Sequence, residues 1–448
     1  MIDETAVAME QTKICVVGMG YVGLTLALTF SEVGYSVVGV DHREKVVETL
    51  REGKSHFFEH GLEELLHREL GKRFIFSTTL NPEATVYLVA VGTPVGDDKL
   101  PNLEDLRAAA ASIGGVLRRG DTVILRSTVP VGTTRDLVLP ELEKASGLVG
   151  GKDFHLAFAP ERTIEGKALT ELRTLPQVVG GLTPTCVQIV AGIFATLSPT
   201  IVTMHSLEAA ELVKVVNNTY RDVTFAFANE VALLCDRYNL DSHEVVHAAN
   251  SGYDRARVPL PSPGVGGYCL TKDPHLFVYA ARKVGFEPTL IPAARIVNEQ
   301  MPAHVVSRVA HFAAKVGVPL AGAKVFLLGV ACKGHPETSD VRFSPTLDVA
   351  RALALQGAVV HAYDPRVDAE AITAAGMHPT PTVAEGFADA LAVIIMNNNP
   401  TFADIPVAEY TEGLARPLLV FDPWKMLPRE KIQRLPGVTY ANLGFDTI

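Results

Sequence analysis

Residues 13–41 constrain the fold more than any other stretch. Lys13-Ile14-Cys15-Val16-Val17 is a β-branched run that ends at Gly18. An apolar helical pattern follows and is closed by Gly34; Ser36-Val37-Val38-Gly39-Val40 then forms a second strand that ends at Asp41. Strand, helix and strand in this succession imply a parallel β-α-β unit. Gly18-Met19-Gly20-Tyr21-Val22-Gly23 occupies the turn between the first strand and the helix. Alone, G-x-G-x-x-G is a weak signal. Here it closes a strand and opens a helix, and an acid ends the next strand. The first glycine permits a tight turn, the second lets a pyrophosphate reach the backbone, and the third lets helix pack on strand. The helix N-terminus then faces the phosphates. Asp41 suits ribose hydroxyls and repels a 2′-phosphate, so NAD is expected over NADP. The plain alternative is a glycine-rich turn with no ligand.

The same rhythm continues. Apolar runs at 86–91, 122–127 and 155–159 read as strands with helical stretches between them. Residues 206–239 lack strand signals and read as one long helix or a broken pair, with Ser206 able to cap it and Glu208 in the first turn. Helical stretches are expected at 273–285 and 292–316. Strand signals resume at 324–329, 358–364, 391–396 and 417–422. Gly329 follows the first of these, without a G-x-G-x-x-G. The organisation is α/β, a helical middle, then a second α/β.

With 448 residues, two or three domains are the prior, and 48% hydrophobic against 20% charged residues describes a globular chain. A net charge of −10 without a Lys/Arg run argues against a nucleic-acid surface. No uncharged apolar stretch is long enough to span a membrane. The first ten residues are acidic and lack a signal-peptide core. The five cysteines form no C-x-x-C pair, which reads as reduced thiols in a cytoplasm. His56 and His60 have helical spacing but no third ligand, so solvated loop histidines and no metal are expected.

Several short stretches carry chemistry. Ser127-Thr128-Val129-Pro130-Val131-Gly132-Thr133-Thr134 leaves a strand, where ligands of a doubly wound sheet lie. Ala159-Pro160-Glu161-Arg162-Thr163-Ile164-Glu165-Gly166 puts two carboxylates on one loop. Lys214 and Asn218 are four apart on a helix and share a face, an ammonium and an amide suited to an oxyanion. Cys269 sits in Gly264-Val265-Gly266-Gly267-Tyr268-Cys269-Leu270-Thr271-Lys272-Asp273-Pro274, which reads as a mobile glycine-rich loop. Lys272 can favour a reactive thiolate there. The bland readings are a solvated Lys214, a helix-capping Glu161 and a Cys269 that is only a small buried hydrophobe. NAD with a nucleophilic thiol points to aldehyde oxidation through a thioester, which a water activated by a carboxylate then cleaves.

Together these stretches resemble the UDP-glucose/GDP-mannose dehydrogenase family. The resemblance covers nearly the whole chain and rests on G-M-G-Y-V-G, V-G-T-P (91–94), S-T-V-P-V-G-T-T, A-P-E-R, E-L-V-K-V-V-N-N (211–218), P-G-V-G-G-Y-C-L-T-K-D-P and L-G-V-A-C-K (328–333) with Asp340-Val341-Arg342. It implies an N-terminal Rossmann-type NAD domain (1–203), a central helical dimerisation region (204–318) and a C-terminal Rossmann-like nucleotide-sugar domain (319–448). It implies oxidation of a hexose C6 alcohol to a carboxylate, using two NAD. Cys269 falls at the nucleophile, Lys214 and Asn218 at the oxyanion pair, and Asp273 at the carboxylate that serves water and thiol. Glu161 falls at the position assigned to thioester hydrolysis, with Thr128 holding a water. Gly18, Met19, Gly20, Tyr21, Val22, Asp41, Thr93, Pro94, Ser127, Thr128, Glu165 and Arg342 fall at or beside NAD positions. Glu161, Arg162, Lys214, Asn218, Tyr268, Lys272, Lys333 and the Gly264, Gly266 and Gly267 backbone fall at substrate positions. Arg255 matches an arginine that reaches a neighbouring subunit's substrate, so a homodimer is implied.

A-P-E-R, V-V-G-G-L-T-P-T-C (178–186) and R-D-V-T-F-A-F-A-N-E (221–230) look like the N-acetylhexosamine branch of that family. Tyr268 stands where UDP-N-acetylmannosamine dehydrogenases typically have histidine, and Glu165-Gly166 is the pair of the glucose branch. F-D-P-W-K (421–425) lacks the arginine usual in glucose enzymes. Glucose, N-acetylglucosamine and N-acetylmannosamine remain open, as do uracil and thymine. Two other readings are a β-hydroxyacid dehydrogenase that stops after one hydride, and an NAD-dependent scaffold without turnover. The Cys269 stretch and the second α/β unit oppose the first; intact candidate positions oppose the second.

Overall fold

The structure, a computed structural model, describes residues 12–413 and 416–444. The acidic stretch at the start of the chain lies outside the described residues. The chain divides into two compact units. The first runs to Asn217 and includes His275–Glu287; the second comprises Asn218–Pro274 and the chain from Pro288 onward.

The first unit holds an eight-stranded sheet. Strand β1 (Lys13–Val17) leads through helix α1 (Tyr21–Val33) to β2 (Ser36–Val40), and helix α2 (Glu44–Arg51) follows. Then come β3 (Phe74–Ser77), β4 (Val86–Val89), β5 (Thr122–Leu125), β6 (His155–Phe158), β7 (Gln177–Gly181) and β8 (Ile201–Met204). Their order is β3-β2-β1-β4-β5-β6-β7-β8, parallel except between β6 and β7. Every residue of β4 and β5 is buried, as a parallel sheet covered on both faces requires. The strand order reverses between β1 and β4, which opens a crevice at the carboxyl ends of those strands.

Helix α3 (Leu207–Tyr238) is one unbroken helix of 32 residues. Ser206 caps it, its hydroxyl accepting from the Ala209 N–H at 3.1 Å. The helix is amphipathic in an inverted sense. Its buried positions include Glu211, Lys214, Asn218, Asp222 and Asn229, spaced along one face. Its exposed positions include Val216 (42% exposed), Tyr220 (69%), Phe227 (55%), Leu234 (59%) and Tyr238 (70%), on the opposite face.

In the second unit, α4 (Ser242–Asn250), α5 (Tyr268–Lys283, which crosses the division) and α6 (Leu290–Lys315) follow. The sequence places α5 at 273–285 with a loop before it; the helix starts five residues earlier. A six-stranded, wholly parallel sheet completes the unit: β9 (Lys324–Leu328), β10 (Val359–Tyr363), β11 (His378–Pro379), β12 (Ala390–Ile395), β13 (Leu418–Phe421) and β14 (Val438–Ala441). Their order is β11-β10-β9-β12-β13-β14, with a reversal between β9 and β12. Among the described residues, no helix is long and apolar enough to cross a membrane.

Candidate active site

At the turn after β1, the three glycines differ in what they permit. Gly18 has φ +95°, and a Cβ there would lie 2.7 Å from the Ala90 carbonyl oxygen at the end of β4. A Cβ on Gly23 would lie 1.8 Å from the Gly18 carbonyl oxygen, so helix α1 packs on the turn only through glycine. A Cβ on Gly20 would meet nothing within 4 Å. That open space lies at the N-terminus of α1, whose first N–H groups have no helical partner. The site therefore fits a dinucleotide pyrophosphate. Met19 is fully buried, and its backbone N–H donates to Asp41 at 3.0 Å. Tyr21 is a strut. Its hydroxyl pairs with Glu59 and accepts from the Gly166 N–H at 3.1 Å, while Glu59 accepts from Gly166 (2.7 Å) and Ala168 (3.0 Å). This network anchors the turn that carries Glu165. Glu59 stands in no motif, and nothing in the sequence singled it out.

Asp41 is 3% exposed and accepts from the Met19 and Arg43 backbone N–H groups and from the Arg43 guanidinium. Burial pushes its pKa up, but the Arg43 and Met19 contacts outweigh burial and hold it below the usual carboxylate range. The second unit repeats the arrangement. Gly329 (φ +98°) donates to Tyr363 O at 2.8 Å, as Gly18 donates to Val40 O at 2.7 Å. Val330 and Ala331 then donate to Asp364 at 2.8 and 3.0 Å. The acid that braces the second turn is legible only by comparing the two units, because G-x-G-x-x-G is missing there.

The loops after β4 and β5 are tied together. Thr93 is buried and its hydroxyl donates to Thr128 O at 2.5 Å; Ser127 donates to Val91 O at 2.7 Å. The Pro94 carbonyl accepts from Asn102 N–H at 2.8 Å. Glu211 of α3 then holds the far end of the 127–134 loop. It accepts from Gly132 N–H (2.5 Å), Thr134 N–H (2.8 Å) and the Thr134 hydroxyl (2.6 Å). Burial raises its pKa to about 7 against those donors.

Glu161 is 5% exposed and pairs with fully buried Arg126 at 2.8 Å. Its other oxygen accepts from the Arg162 and Thr163 N–H groups at 2.7 and 2.8 Å. Burial opposes ionisation, yet Arg126, the Thr163 N–H and nearby Lys214 prevail and hold the carboxyl below its usual range. Glu161 thus accepts from donors on both oxygens, with acceptor capacity left on the oxygen that faces Arg126, and is not a helix cap. Arg126 also donates to Ala159 O (3.1 Å) and Gln177 (3.2 Å). The Arg162 side chain donates to Pro176 O at 3.3 Å. Lys214 is 7% exposed, which rules out the solvated reading of it.

In the second unit, Asn218 donates to Asp273 at 2.6 Å, and the Lys272 ammonium lies 3.2 Å from the other Asp273 oxygen. All three are buried. Cys269 is exposed and stands in the first turn of α5. The expectation of a mobile loop at 264–274 is corrected here. A Cβ on Gly266 would lie 2.2 Å from Phe343 O, and one on Gly264 would lie 2.7 Å from Pro345. Gly267 donates to Phe343 O at 3.2 Å. The glycines serve close backbone packing rather than mobility. Lys272 and Arg342 flank the Tyr268 ring at 5.4 and 4.8 Å from its centroid, and Arg342 pairs with Asp340 at 2.7 Å. Lys333 follows Cys332, half-buried, after β9. Arg255 is exposed beside Tyr253, in a loop that Asn250 pins through Val258.

The chain matches three descriptions of one family: UDP-glucose/GDP-mannose dehydrogenase family, NAD binding domain over residues 12–198, central domain over 208–300, and UDP binding domain over 326–429. It is 35% identical over 353 residues to a UDP-N-acetyl-D-mannosamine dehydrogenase of Campylobacter jejuni, covering 77% of this chain and 84% of that one. It is 33% identical to a UDP-N-acetyl-D-glucosamine 6-dehydrogenase of Pseudomonas aeruginosa, covering 87% and 92%. The solved structure of a UDP-D-ManNAc dehydrogenase from Pyrococcus horikoshii superposes with a TM-score of 0.87 at 29% identity, covering 97% and 99%. The glycine turn, the Asp41 brace and the Cys269 helix thus lie in a chain that belongs to the UDP-glucose/GDP-mannose dehydrogenase family and is an NAD-dependent oxidoreductase of nucleotide sugars.

Proposed function

We propose that the chain oxidises the C6 alcohol of a UDP-N-acetylhexosamine to the uronic acid through a thioester on Cys269. The observation that carries this reading is an exposed thiol in the first turn of α5, one turn before Asp273, a buried carboxylate that meets Lys272 of the same helix and the Asn218 amide of α3. NAD, when bound, would accept one hydride from C6 as the alcohol becomes the aldehyde and a second NAD another as the thiohemiacetal becomes the thioester; Gly18, Gly20 and the N-terminus of α1 would hold its phosphates and Asp41 its ribose. Cys269 adds to the C6 aldehyde, which fixes the carbon while its charge is carried by Lys214 and the Asn218 amide. Asp273 takes the thiol proton. Water then replaces sulfur at the acyl carbon, the thiolate leaves, and Glu161 with Thr128 holds that water. The Arg126 pairing of Glu161 supports a positioning role more than a strongly basic one. The UDP binding description over 326–429 supports uridine as the base, and the relatives' names support an N-acetylated sugar.

The exposed apolar stripe of α3 supports a homodimer built on that helix, because monomers rarely leave such a row uncovered. Arg255 would then serve a neighbouring copy. On this reading the chain is organised as 1–203, 204–318 and 319–448 for NAD, dimerisation and nucleotide sugar.

The test is NADH formed per mole of sugar consumed, with UDP-glucose, dTDP-glucose, UDP-N-acetylglucosamine and UDP-N-acetylmannosamine as separate substrates. Two NADH per N-acetylated sugar is expected, and Cys269→Ser should lose acid production while still binding NADH. One NADH per sugar would sink the thioester role. Preference for a glucose substrate would correct the sugar.

A further inference from the structure

We propose that Arg43 makes the adenosine-ribose end of the coenzyme site tolerant of a 2′-phosphate, so that the chain takes NADP as well as NAD. The inference rests on the reading of the Gly18–Asp41 turn as the coenzyme site. An acid at the end of β2 selects NAD because its charge repels a 2′-phosphate, whereas an arginine beside that position accommodates one. Here both are present and joined. Arg43 Nε donates to Asp41 Oδ1 and Nη2 to Oδ2, each at 3.0 Å, a bidentate pair. The pair cancels the charge on which discrimination depends. Asp41 is 3% exposed, so water screens it little, while the Arg43 side chain is 52% exposed. The remaining guanidinium nitrogen, Nη1, makes no hydrogen bond among the described residues.

The pairing is not an inevitable result of the local turn. Asp364-Pro365-Arg366 in the second unit makes the same backbone turn, with Arg366 N–H donating to Asp364 at 2.8 Å. Its guanidinium nevertheless turns away to Glu337, at 3.0 and 2.6 Å. The Arg43 backbone therefore leaves its guanidinium free to choose a partner, and a 2′-phosphate with two negative charges is a stronger one than Asp41. His42, 83% exposed with Nδ1 3.9 Å from Asp41, adds a second basic group at this end. His56 lies close enough to be affected by both Arg43 and Asp41.

The experiment is equilibrium binding of NADH and NADPH to the full chain, followed by nucleotide fluorescence, without any sugar. Competition by 2′,5′-ADP and 5′-AMP separates the 2′-phosphate from the rest of the coenzyme. The wild-type Kd for NADPH should lie within about tenfold of that for NADH, and Arg43→Ala should raise the NADPH:NADH ratio at least about tenfold. Arg43→Lys should retain part of the NADPH affinity, since it keeps the charge but loses the fork. A wild-type ratio above about tenfold, or a smaller rise in Arg43→Ala, overturns the proposal and leaves the coenzyme site standing. Failure to bind NADH at all would overturn both.

Discussion

Arg126 and Glu161 form a buried ion pair at 2.8 Å, with the arginine side chain wholly inaccessible and the glutamate 6% exposed. Arg126 lies at the end of β5, and Glu161 in the loop after neighbouring β6. The pair therefore holds that loop against the sheet. Arg126→Ala leaves a buried carboxylate without its cation, which should cost about 3–5 kcal/mol. Urea unfolding checks this. A loss below about 1 kcal/mol would mean that the pair behaves as a surface one. Because the native pKa of Glu161 lies below its unfolded value, its contribution is present above the unfolded pKa and fades as pH falls through the native one.

Lys214 lies one helical turn before Asn218 on the buried polar face of α3. If it stabilises developing negative charge, Lys214→Ala should lower kcat by about 100-fold or more, with NADH affinity changed by less than about threefold. Initial rates and NADH binding measured on the same preparation separate the two. An unchanged kcat would reduce Lys214 to a structural role.

Glu211 gives a pH prediction. Burial raises its native pKa from 4.5 to about 7. A group raised in the folded state favours folding most below its unfolded pKa and loses that contribution as pH rises to the native pKa. Wild type should therefore lose stability relative to Glu211→Gln as pH rises from about 4.5 to about 7, by up to about 3 kcal/mol. Glutamine keeps one acceptor oxygen, so the variant loses the bond to Gly132 or those to Thr134, a pH-independent offset. Tm against pH for both proteins gives the difference, and parallel profiles would sink the prediction.

The outer stripe of α3 gives a prediction about assembly. Phe227→Asp and Leu234→Asp, tested singly, should shift the sedimentation coefficient from dimer to monomer while helical content by circular dichroism stays unchanged. Both positions are more than half exposed in the single chain, so the cost of the new charge falls on association and not on folding. A wild type that sediments as a monomer would rule out the helix as an interface.

Much of the site could be read in sequence because it is local. The Gly18–Gly23 turn, Asp41, and the four-residue spacing of Lys214 and Asn218 on one helix face each depend on residues within about one element of one another. The start of α5 is hidden in the sequence for a local reason too. Gly264, Gly266 and Gly267 suggest a loop, yet α5 begins at Tyr268, directly after them. Gly264 and Gly266 are instead required by the Pro345 ring and the Phe343 carbonyl, more than seventy residues away.

By itself the sequence determined the alternation of strand and helix and the dinucleotide turn, and it marked Cys269 as a candidate, since these arise from side-chain periodicity and short-range motifs. Only the tertiary structure decided how the charges are held. Glu59 reaches Gly166, Arg126 reaches Glu161, Glu211 reaches Thr134 and Asp364 braces Val330, each across tens of residues. A buried charge is tolerated only where donors converge on it, and that convergence is set by which strands lie side by side. The same holds for Arg43. Its place in the sequence allows either an exposed cation or a partner for Asp41; in the folded chain it pairs with Asp41, whereas Arg366 after the same turn pairs with Glu337.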